Sequence, residues 1–174
     1  MFMINTSNPN IFTSKKILNL ETAEKKISEL KKKNKKVGLC HGGFDILHPG
    51  HIKHFESAKK MCDYLIVSIT SDKFVLELKG NARPIFSEKL RAYSVASIES
   101  VDFAVVSDFL KGIEVIKTLK PNYYIKGPDY TNKDGDVALK EEIEATKSVG
   151  GGVKFTKDPK FSTTEIIEYI KENF

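Results

Sequence analysis

Short apolar segments alternate with helical patterns along the chain, and this alternation limits the possible fold more than any other feature. The segment at residues 64–69 is nearly all apolar, as strands buried in parallel sheets are. Strands are predicted at residues 36–40, 64–69, 103–106, 123–125 and 153–155. Helices are predicted at residues 21–33, 87–100, 113–119 and 136–149, with two more beginning at residues 50 and 162. The helix from residue 50 is expected to carry Ile52, Phe55 and Ala58 on its buried side. This order predicts an α/β fold, a Rossmann-like doubly wound parallel sheet of about five strands with helices on both faces.

The composition is that of an ordinary globular protein. The chain has 174 residues, of which 40% are hydrophobic and 29% charged, and this mixture argues against disorder, collagen or a coiled-coil rod. No apolar run approaches the roughly 20 residues that cross a bilayer, and no secretory signal is visible. Cys40 and Cys62 are too few for a disulfide scaffold or a four-cysteine zinc site. We therefore expect a cytoplasmic protein that does not use a membrane.

The positive charge is concentrated at one end of the chain. Residues 1–36 contain nine lysines and three glutamates, whereas the remaining residues contain 19 basic and 20 acidic side chains. A strip that binds nucleic acid and a solvated helix face are both compatible with this charge, and the lack of aromatic residues after Phe12 in this stretch favours the solvated face. We expect residues 1–36 to be a basic extension with one helix, whose Ala23, Ile27 and Leu30 are buried on the main domain or on a second subunit.

A turn rich in glycine and histidine follows the first predicted strand, with the sequence Gly-Gly-Phe-Asp-Ile-Leu-His-Pro-Gly-His at residues 42–51. Glycines let the backbone approach a ligand closely, and the helix predicted from Gly50 offers unpaired N–H groups to a phosphate. His48 and His51 could donate hydrogen bonds to phosphoryl oxygens. Alternatively, His48 caps the turn while His51 packs against the sheet, or the pair binds zinc, although no third ligand is indicated. Two histidines around a glycine at a strand-to-helix turn favour the phosphate site.

Three cations follow the second predicted strand. Lys79, Arg83 and Arg91 could hold a phosphate monoester, because arginine makes bidentate contacts with phosphate and lysine acts as a point charge. Singly, each is more often a surface charge. The neighbouring Gly80 and Pro84 favour an anion site over three unrelated surface charges.

Two further candidate segments lie at the boundaries of later elements. The sequence Ser-Thr-Thr-Glu at residues 162–165 is typical of a capping box in which Ser162 caps the last helix. Capping does not explain Thr163 and Thr164, which are mediocre helix formers. Lys126 and Asp129 close the fourth predicted strand, where Asp129 could equally be a turn residue.

These motifs resemble those of the cytidylyltransferase-like nucleotidyltransferases, a superfamily with an HxGH element preceded by GxFDxxH. Further segments follow in the order of that family: Ser71-Asp72, Leu78-Lys79-Gly80, Arg83-Pro84, Arg91, Val101-Asp102, Lys126-Gly127-Pro128-Asp129-Tyr130 and Ser162-Thr163-Thr164. The resemblance covers residues 37–170 and is greatest to the adenylyltransferase domain of ADP-heptose synthases, followed by glycerol-3-phosphate cytidylyltransferases. It implies a nucleotidyltransferase domain at residues 37–174.

The resemblance also implies roles for individual residues. His48, His51 and Lys79 are expected to be catalytic, and the acceptor phosphate is expected to contact Lys79, Arg83 and Arg91. The nucleotide is expected to contact Gly43, Phe44, Asp45, Gly50, Lys126, Asp129, Ser162, Thr163 and Thr164. Mg²⁺ is expected as a cofactor bound mainly through the phosphates of the NTP, without dedicated protein ligands. A homodimer is expected, because the resembling enzymes are often dimeric.

The resemblance favours ATP and heptose 1-phosphate as substrates in the synthesis of a lipopolysaccharide or capsule precursor. The alternative is CTP with glycerol 3-phosphate or a similar polyol phosphate, and a non-catalytic nucleotide-binding module is a weaker alternative. Two departures concern the base and the acceptor. Pro128 stands where the heptose enzymes usually have glycine, and residues 157–161 replace the Arg-Thr-x-Gly stretch of the glycerol-phosphate enzymes.

Overall fold

The computed structural model describes residue 8 and residues 11–80, 82–130, 136–159 and 161–174. These residues form a six-stranded sheet in which every strand pairing is parallel. Its strands are β1 (Ile17–Leu18), β2 (Val37–Gly42), β3 (Tyr64–Thr70), β4 (Phe103–Ser107), β5 (Tyr123–Lys126) and β6 (Gly152–Phe155). The helices are α1 (Leu20–Lys32), α2 (Pro49–Lys59), α3 (Asp72–Lys79), α4 (Glu88–Ala96), α5 (Gly112–Leu119), α6 (Val137–Ser148) and α7 (Thr163–Asn173). The predicted α/β fold with a parallel sheet is confirmed.

The order of the strands determines where a ligand can bind. They lie in the order β1-β4-β3-β2-β5-β6, so β2 has β3 on one side and β5 on the other. The chain first winds outward from β2 through β3 to β4, and then crosses back to build β5 and β6. A crevice opens outside the carboxyl ends of the strands where the winding reverses, and ligands of open α/β sheets bind there. This crevice lies at the ends of β2 and β5.

Helices cover both faces of the sheet, as predicted. On one face, Phe55 of α2 and Val95 of α4 belong to a buried core with Val67 of β3. On the other face, Ile27 of α1 and Ile116 of α5 belong to a second buried core. No helix in the described part of the chain is long and apolar enough to span a membrane.

The N-terminal segment is integrated into this architecture. Strand β1, which the sequence patterns did not predict, pairs with β4 at the edge of the sheet. The Lys16 ammonium donates hydrogen bonds to the carbonyls of Ile98 and Val101, 3.2 and 2.8 Å away. Helix α1 buries Ala23 and Ile27 against the sheet, so its apolar stripe packs on the same chain. The boundary predicted at residue 36 falls between α1 and β2, and elements on both sides of it share one sheet and one core.

Two details differ from the sequence-based expectations. Helix α3 was not predicted; it is eight residues long, and among them only Val75 is buried. In α2, Ile52 was expected on the buried side but is 41% exposed, whereas Phe55 and Ala58 are fully buried. The buried stripe of α2 is therefore narrower than predicted.

Truncating Ile27 tests the role of α1 in stability. Ile27 is 1% exposed, so Ile27→Ala leaves a cavity between α1 and the sheet. The free energy of unfolding should fall by about 2–5 kcal/mol, measured by urea denaturation. Glu24→Ala on the exposed side of α1 is the matched control and should change the free energy by less than about 0.5 kcal/mol. Equal stability of the two variants would show that α1 does not stabilise the domain.

Candidate functional site

A cleft of about 470 Å³ opens at the carboxyl ends of β2 and β5. Its walls contain nearly all of the residues predicted for the site. The predicted residues that line it are Gly43, Phe44, Asp45, His48, Gly50, His51, Lys79, Lys126, Asp129, Ser162, Thr163 and Thr164. Arg83 and Arg91 are not among the lining residues.

The two histidines of the glycine-rich turn lie together at the start of α2. His48 is the N-cap of the helix, and its Nδ1 accepts the backbone N–H of His51 at 3.4 Å. The two imidazole rings stack with their centroids 3.7 Å apart. Because Nδ1 of His48 accepts a hydrogen bond, the neutral ring carries its proton on Nε2, where it can donate to a ligand. The capping role and the phosphate-binding role of His48 are therefore compatible.

Burial favours the neutral form of both histidines. Burial lowers the pKa of His51 to about 3, helped by the nearby His48, His54 and Lys79. Burial likewise lowers the pKa of His48. The Nδ1 atom of His51 is buried, and no hydrogen-bond partner lies near it in the part of the chain that the structure describes. The site thus presents neutral imidazoles, which act as oriented hydrogen-bond donors rather than as fixed charges.

The segment before α7 closes against this turn at Gly50. A Cβ atom at Gly50 would lie 2.8 Å from Cβ of Phe161 and 3.1 Å from Nδ1 of His48. Only glycine allows this approach without displacing one of them. Phe44, with a φ of 45°, packs its ring edge-on against His51 at 5.3 Å between centroids.

A second helix begins at the same cleft. The Ser162 hydroxyl caps α7 by accepting the backbone N–H groups of Thr164 and Glu165, so the predicted cap is present. The Thr163 hydroxyl donates to the carbonyl of Ile46 at 3.5 Å, which joins the start of α7 to the glycine-rich turn. The N-termini of α2 and α7 both lie at the cleft, and their unpaired N–H groups and dipoles favour an anion there.

The cleft is also lined by His41 and His54, which sequence reasoning did not identify as site residues. All four histidines of the chain therefore line the cleft. Nδ1 of His54 lies 2.9 Å from the Thr156 hydroxyl, and Nδ1 of His41 lies 3.1 Å from the Ser68 hydroxyl. Burial lowers the pKa of each to about 4. His54 follows His51 by three residues on α2, and this helical spacing was a signal that could have revealed it.

Asp45 and Arg83 form a buried ion pair below the cleft. The Asp45 carboxylate accepts the Nε–H of Arg83 at 2.6 Å and the backbone N–H groups of Ile85 and Phe86. Its side chain is 1% exposed, so it orders residues 83–86 and has little capacity left for a nucleotide. Nη2 of Arg83 is buried, and none of the described residues offers it a hydrogen bond.

Arg91 does not reach the cleft. Its side chain is fully buried, and its guanidinium donates to the carbonyls of Phe86 and Gly43 and to the Asp72 carboxylate. Every one of these partners belongs to the protein. The geometry therefore corrects the expected acceptor-phosphate contact, because Arg91 supports the glycine-rich turn from below.

Lys79 is the cation that stands at the rim of the cleft. It ends α3 immediately before Gly80, whose φ of 83° turns the chain away. The residue is exposed, and within the described residues its ammonium forms no ion pair. Desolvation and the neighbouring Arg83 lower the pKa of Lys79. An incoming anion can therefore meet its charge directly.

Lys126 is held on the opposite wall by a residue that sequence reasoning missed. Its ammonium donates to the Glu142 carboxylate of α6 at 2.7 Å, and both side chains are buried. No sequence pattern links β5 to this position on α6.

The neutral histidines predict acid sensitivity. The pKa of His54 is about 4 in the folded protein, whereas an unperturbed histidine has a pKa of 6.5. Between pH 4 and pH 6.5 the unfolded chain therefore binds a proton at His54 that the folded protein does not bind. Stability should fall as the pH drops from 6.5 towards 4, with His54 contributing at most about 1.4 kcal/mol per pH unit. His54→Asn should weaken the dependence of the urea midpoint on pH between 7.5 and 5.0. An unchanged dependence would show that His54 is not kept neutral by the fold.

Comparisons with known proteins agree with this geometry. A family model described as cytidylyltransferase-like matches residues 39–169. The bifunctional protein HldE of Aliarcobacter butzleri is 39% identical over 160 residues, which are 90% of this chain and 31% of that protein. HldE of Campylobacter jejuni subsp. doylei is 40% identical over 88% of this chain and 32% of that protein. The chain thus spans about a third of the length of the curated relatives it matches.

Solved structures show the same fold. A lipopolysaccharide core biosynthesis protein from Thermoplasma volcanium superimposes with a TM-score of 0.57 and 26% identity, covering 74% of this chain and 99% of that one. A pantoate-beta-alanine ligase from Francisella tularensis, solved with an ATP analogue and beta-alanine, gives a TM-score of 0.53. Its identity is 16%, with coverage of 89% of this chain and 76% of the ligase, so it supports the fold alone.

Proposed function

The chain belongs to the cytidylyltransferase-like family of nucleotidyltransferases, and we propose that it transfers a nucleotidyl group from an NTP to a phosphorylated sugar. The observation that carries this proposal is the meeting of two helix N-termini with the paired His48 and His51 in one cleft. Unpaired N–H groups and neutral imidazoles are suited to the phosphates of a nucleotide.

The proposed reaction is an in-line displacement at the α-phosphorus. An oxygen of the acceptor phosphate forms the new bond to the α-phosphorus. The bond between the α-phosphorus and the oxygen that bridges to the β-phosphorus breaks, and pyrophosphate leaves with that oxygen. The acceptor needs no general base, because a phosphate monoester with a second pKa near 6 is already anionic at pH 7. His48 would donate from Nε2 to oxygens that gain negative charge as pyrophosphate departs. Catalysis then consists of positioning and charge stabilisation.

Lys79 is the group we assign to the acceptor phosphate. Its ammonium is at the rim of the cleft, beside Arg83, whose Nη2 has no hydrogen-bond partner within the described residues. Arg83 is held in place by its ion pair with Asp45, so it cannot move to meet a ligand. It adds positive charge near the acceptor phosphate. Lys79 therefore has the freedom that Arg83 and Arg91 lack.

Mg²⁺ enters this proposal as part of the substrate. Within the described residues, no group of three or more His, Cys, Asp or Glu side chains is placed to bind a metal ion. We propose that the ion arrives on the triphosphate and neutralises part of its charge. The homodimer remains a prediction, which sedimentation equilibrium can test.

ATP and heptose 1-phosphate are our first choice of substrates. The similarity to HldE proteins and to a lipopolysaccharide core biosynthesis protein supports a sugar phosphate acceptor. CTP with glycerol 3-phosphate is the second candidate, supported by the cytidylyltransferase-like family model. A panel of ATP and CTP against both acceptors, followed by pyrophosphate release, decides between them. We expect the highest kcat/KM with ATP and heptose 1-phosphate, and a preference for CTP with every acceptor would reverse the choice.

A further inference from the structure

A buried polar network supports one wall of the cleft. The Lys126 ammonium lies 2.7 Å from a Glu142 carboxylate oxygen, and the other oxygen of Glu142 accepts the Tyr124 hydroxyl at 2.9 Å. The side chains of Lys126 and Glu142 are only 7% and 8% exposed, so neither charge is well solvated. The network joins β5 to α6, two elements that meet beside the cleft.

The network is tightly packed. A Cβ atom at Gly112, the first residue of α5, would lie 2.7 Å from both the Glu142 carboxylate and the Tyr124 hydroxyl. On its other side, the Lys126 ammonium lies 3.8 Å from the centroid of the Tyr130 ring, within the range of a cation–π contact. Lys126 and Tyr130 both line the cleft, whereas Glu142 and Tyr124 do not. The first two residues can meet a ligand and the last two can only orient them.

Stability alone is a poor reason for such a network. Moving two charges out of water is costly, and an apolar pair of similar volume is often as stable as a buried ion pair or more so. Lys126 also cannot act as a free positive charge, because Glu142 compensates it. Its remaining N–H groups are therefore better suited to the neutral acceptor atoms of a nucleoside than to the triphosphate.

We propose that Glu142 is a positioning residue, which holds Lys126 so that this wall of the cleft binds the nucleoside part of the NTP. The inference rests on the proposed function, since it presupposes that an NTP occupies the cleft. It assigns the two ends of the ligand to different walls: the helix N-termini and histidines take the phosphates, and Lys126 with Tyr130 takes the nucleoside.

Equilibrium binding separates this role from folding. Glu142→Gln leaves Lys126 without a compensating charge, and we expect the Kd for ATP to rise about tenfold or more, as the loss of a hydrogen bond to a charged group does. The Kd for inorganic tripolyphosphate, which lacks a nucleoside, should not rise, because the uncompensated Lys126 ammonium attracts a polyanion. Glu141→Gln on the same helix is the matched control. Glu141 pairs with the exposed Lys111 at the start of α5, so its replacement should leave both constants unchanged.

The triple variant Lys126→Met, Glu142→Leu and Tyr124→Phe guards against a folding defect, because it leaves no buried hydroxyl without an acceptor and an apolar pair should restore the urea midpoint. We expect this stable variant to bind tripolyphosphate normally and ATP about tenfold more weakly. Restored ATP binding would show that the network is merely structural, as would wild-type ATP binding by Glu142→Gln. Equal weakening for ATP and tripolyphosphate would also overturn the assignment to the nucleoside.

The wild-type protein distinguishes this inference from the proposed reaction. If it binds ATP but releases no pyrophosphate, the proposed reaction is refuted and the inference stands. If it binds neither ATP nor CTP, both are refuted.

Discussion

Replacing His51 with alanine is expected to lower the rate of nucleotidyl transfer by about 10²–10³-fold, the usual effect of losing one preorganised hydrogen-bond donor. His48→Ala should have an effect of the same size. The two rings stack at the start of α2, where negative charge develops on the departing pyrophosphate in the proposed reaction. The measurement is kcat for pyrophosphate release under saturating substrates, with folding checked by thermal melting.

His48→Asn separates catalysis from helix capping. Nδ1 of His48 caps α2, so His48→Ala should also cost about 1 kcal/mol of stability. Asparagine is a strong N-cap residue but cannot reproduce the Nε2 donor, so His48→Asn should keep the melting temperature and still lose turnover. Wild-type turnover in a stable His48→Asn or His51→Ala protein would remove the replaced histidine from the reaction.

The second large effect is expected at Arg91, and it is an effect on folding. Arg91→Met removes a fully buried guanidinium and leaves the carbonyls of Gly43 and Phe86 without their donor. Removing one partner of a buried charged interaction typically lowers the free energy of unfolding by about 3–5 kcal/mol. Urea denaturation would detect this as a large decrease in the urea concentration at the midpoint of unfolding. Lys89→Met, at an exposed position of the same helix, is the control and should be nearly neutral. If Arg91→Met were as stable as Lys89→Met and lost only acceptor affinity, Arg91 would be a phosphate ligand after all.

The sequence patterns predicted those elements that are long or strongly periodic. Strand β3 and helix α5 are examples, because β3 is buried over nearly its whole length and α5 buries Val115, Ile116 and Leu119 at helical spacing. Strand β1 has only two residues, and its existence depends on pairing with β4, which lies more than 80 residues later in the chain. Strand β1 is therefore determined by a tertiary contact that local patterns do not contain. Helix α3 is a different case, because Phe74, Val75 and Leu78 do follow a helical spacing that the prediction overlooked.

The same distinction applies to the cleft. The glycine-rich turn and the capping serine of α7 were predictable because their chemistry lies in consecutive residues. The partners of Asp45, Arg91 and Lys126 come from distant parts of the chain, so a charged residue that looks available in the sequence can be fully bonded in the fold. Lys79 and Arg91 were equivalent candidates by sequence, and burial alone distinguishes the rim cation from the structural one.

Tracing the α-phosphorus of the NTP tests the central claim most directly. ATP labelled with ³²P at the α-position would be incubated with Mg²⁺, heptose 1-phosphate and the protein, and the products separated by chromatography. We predict that the label moves into a nucleoside-diphosphate sugar in amounts equal to the unlabelled pyrophosphate released, and that neither product forms without the acceptor. CTP in place of ATP would give the same transfer if the second candidate were correct. Label that remains in ATP and CTP with every acceptor, or that appears only in a nucleoside diphosphate through transfer of the γ-phosphate, would contradict the account.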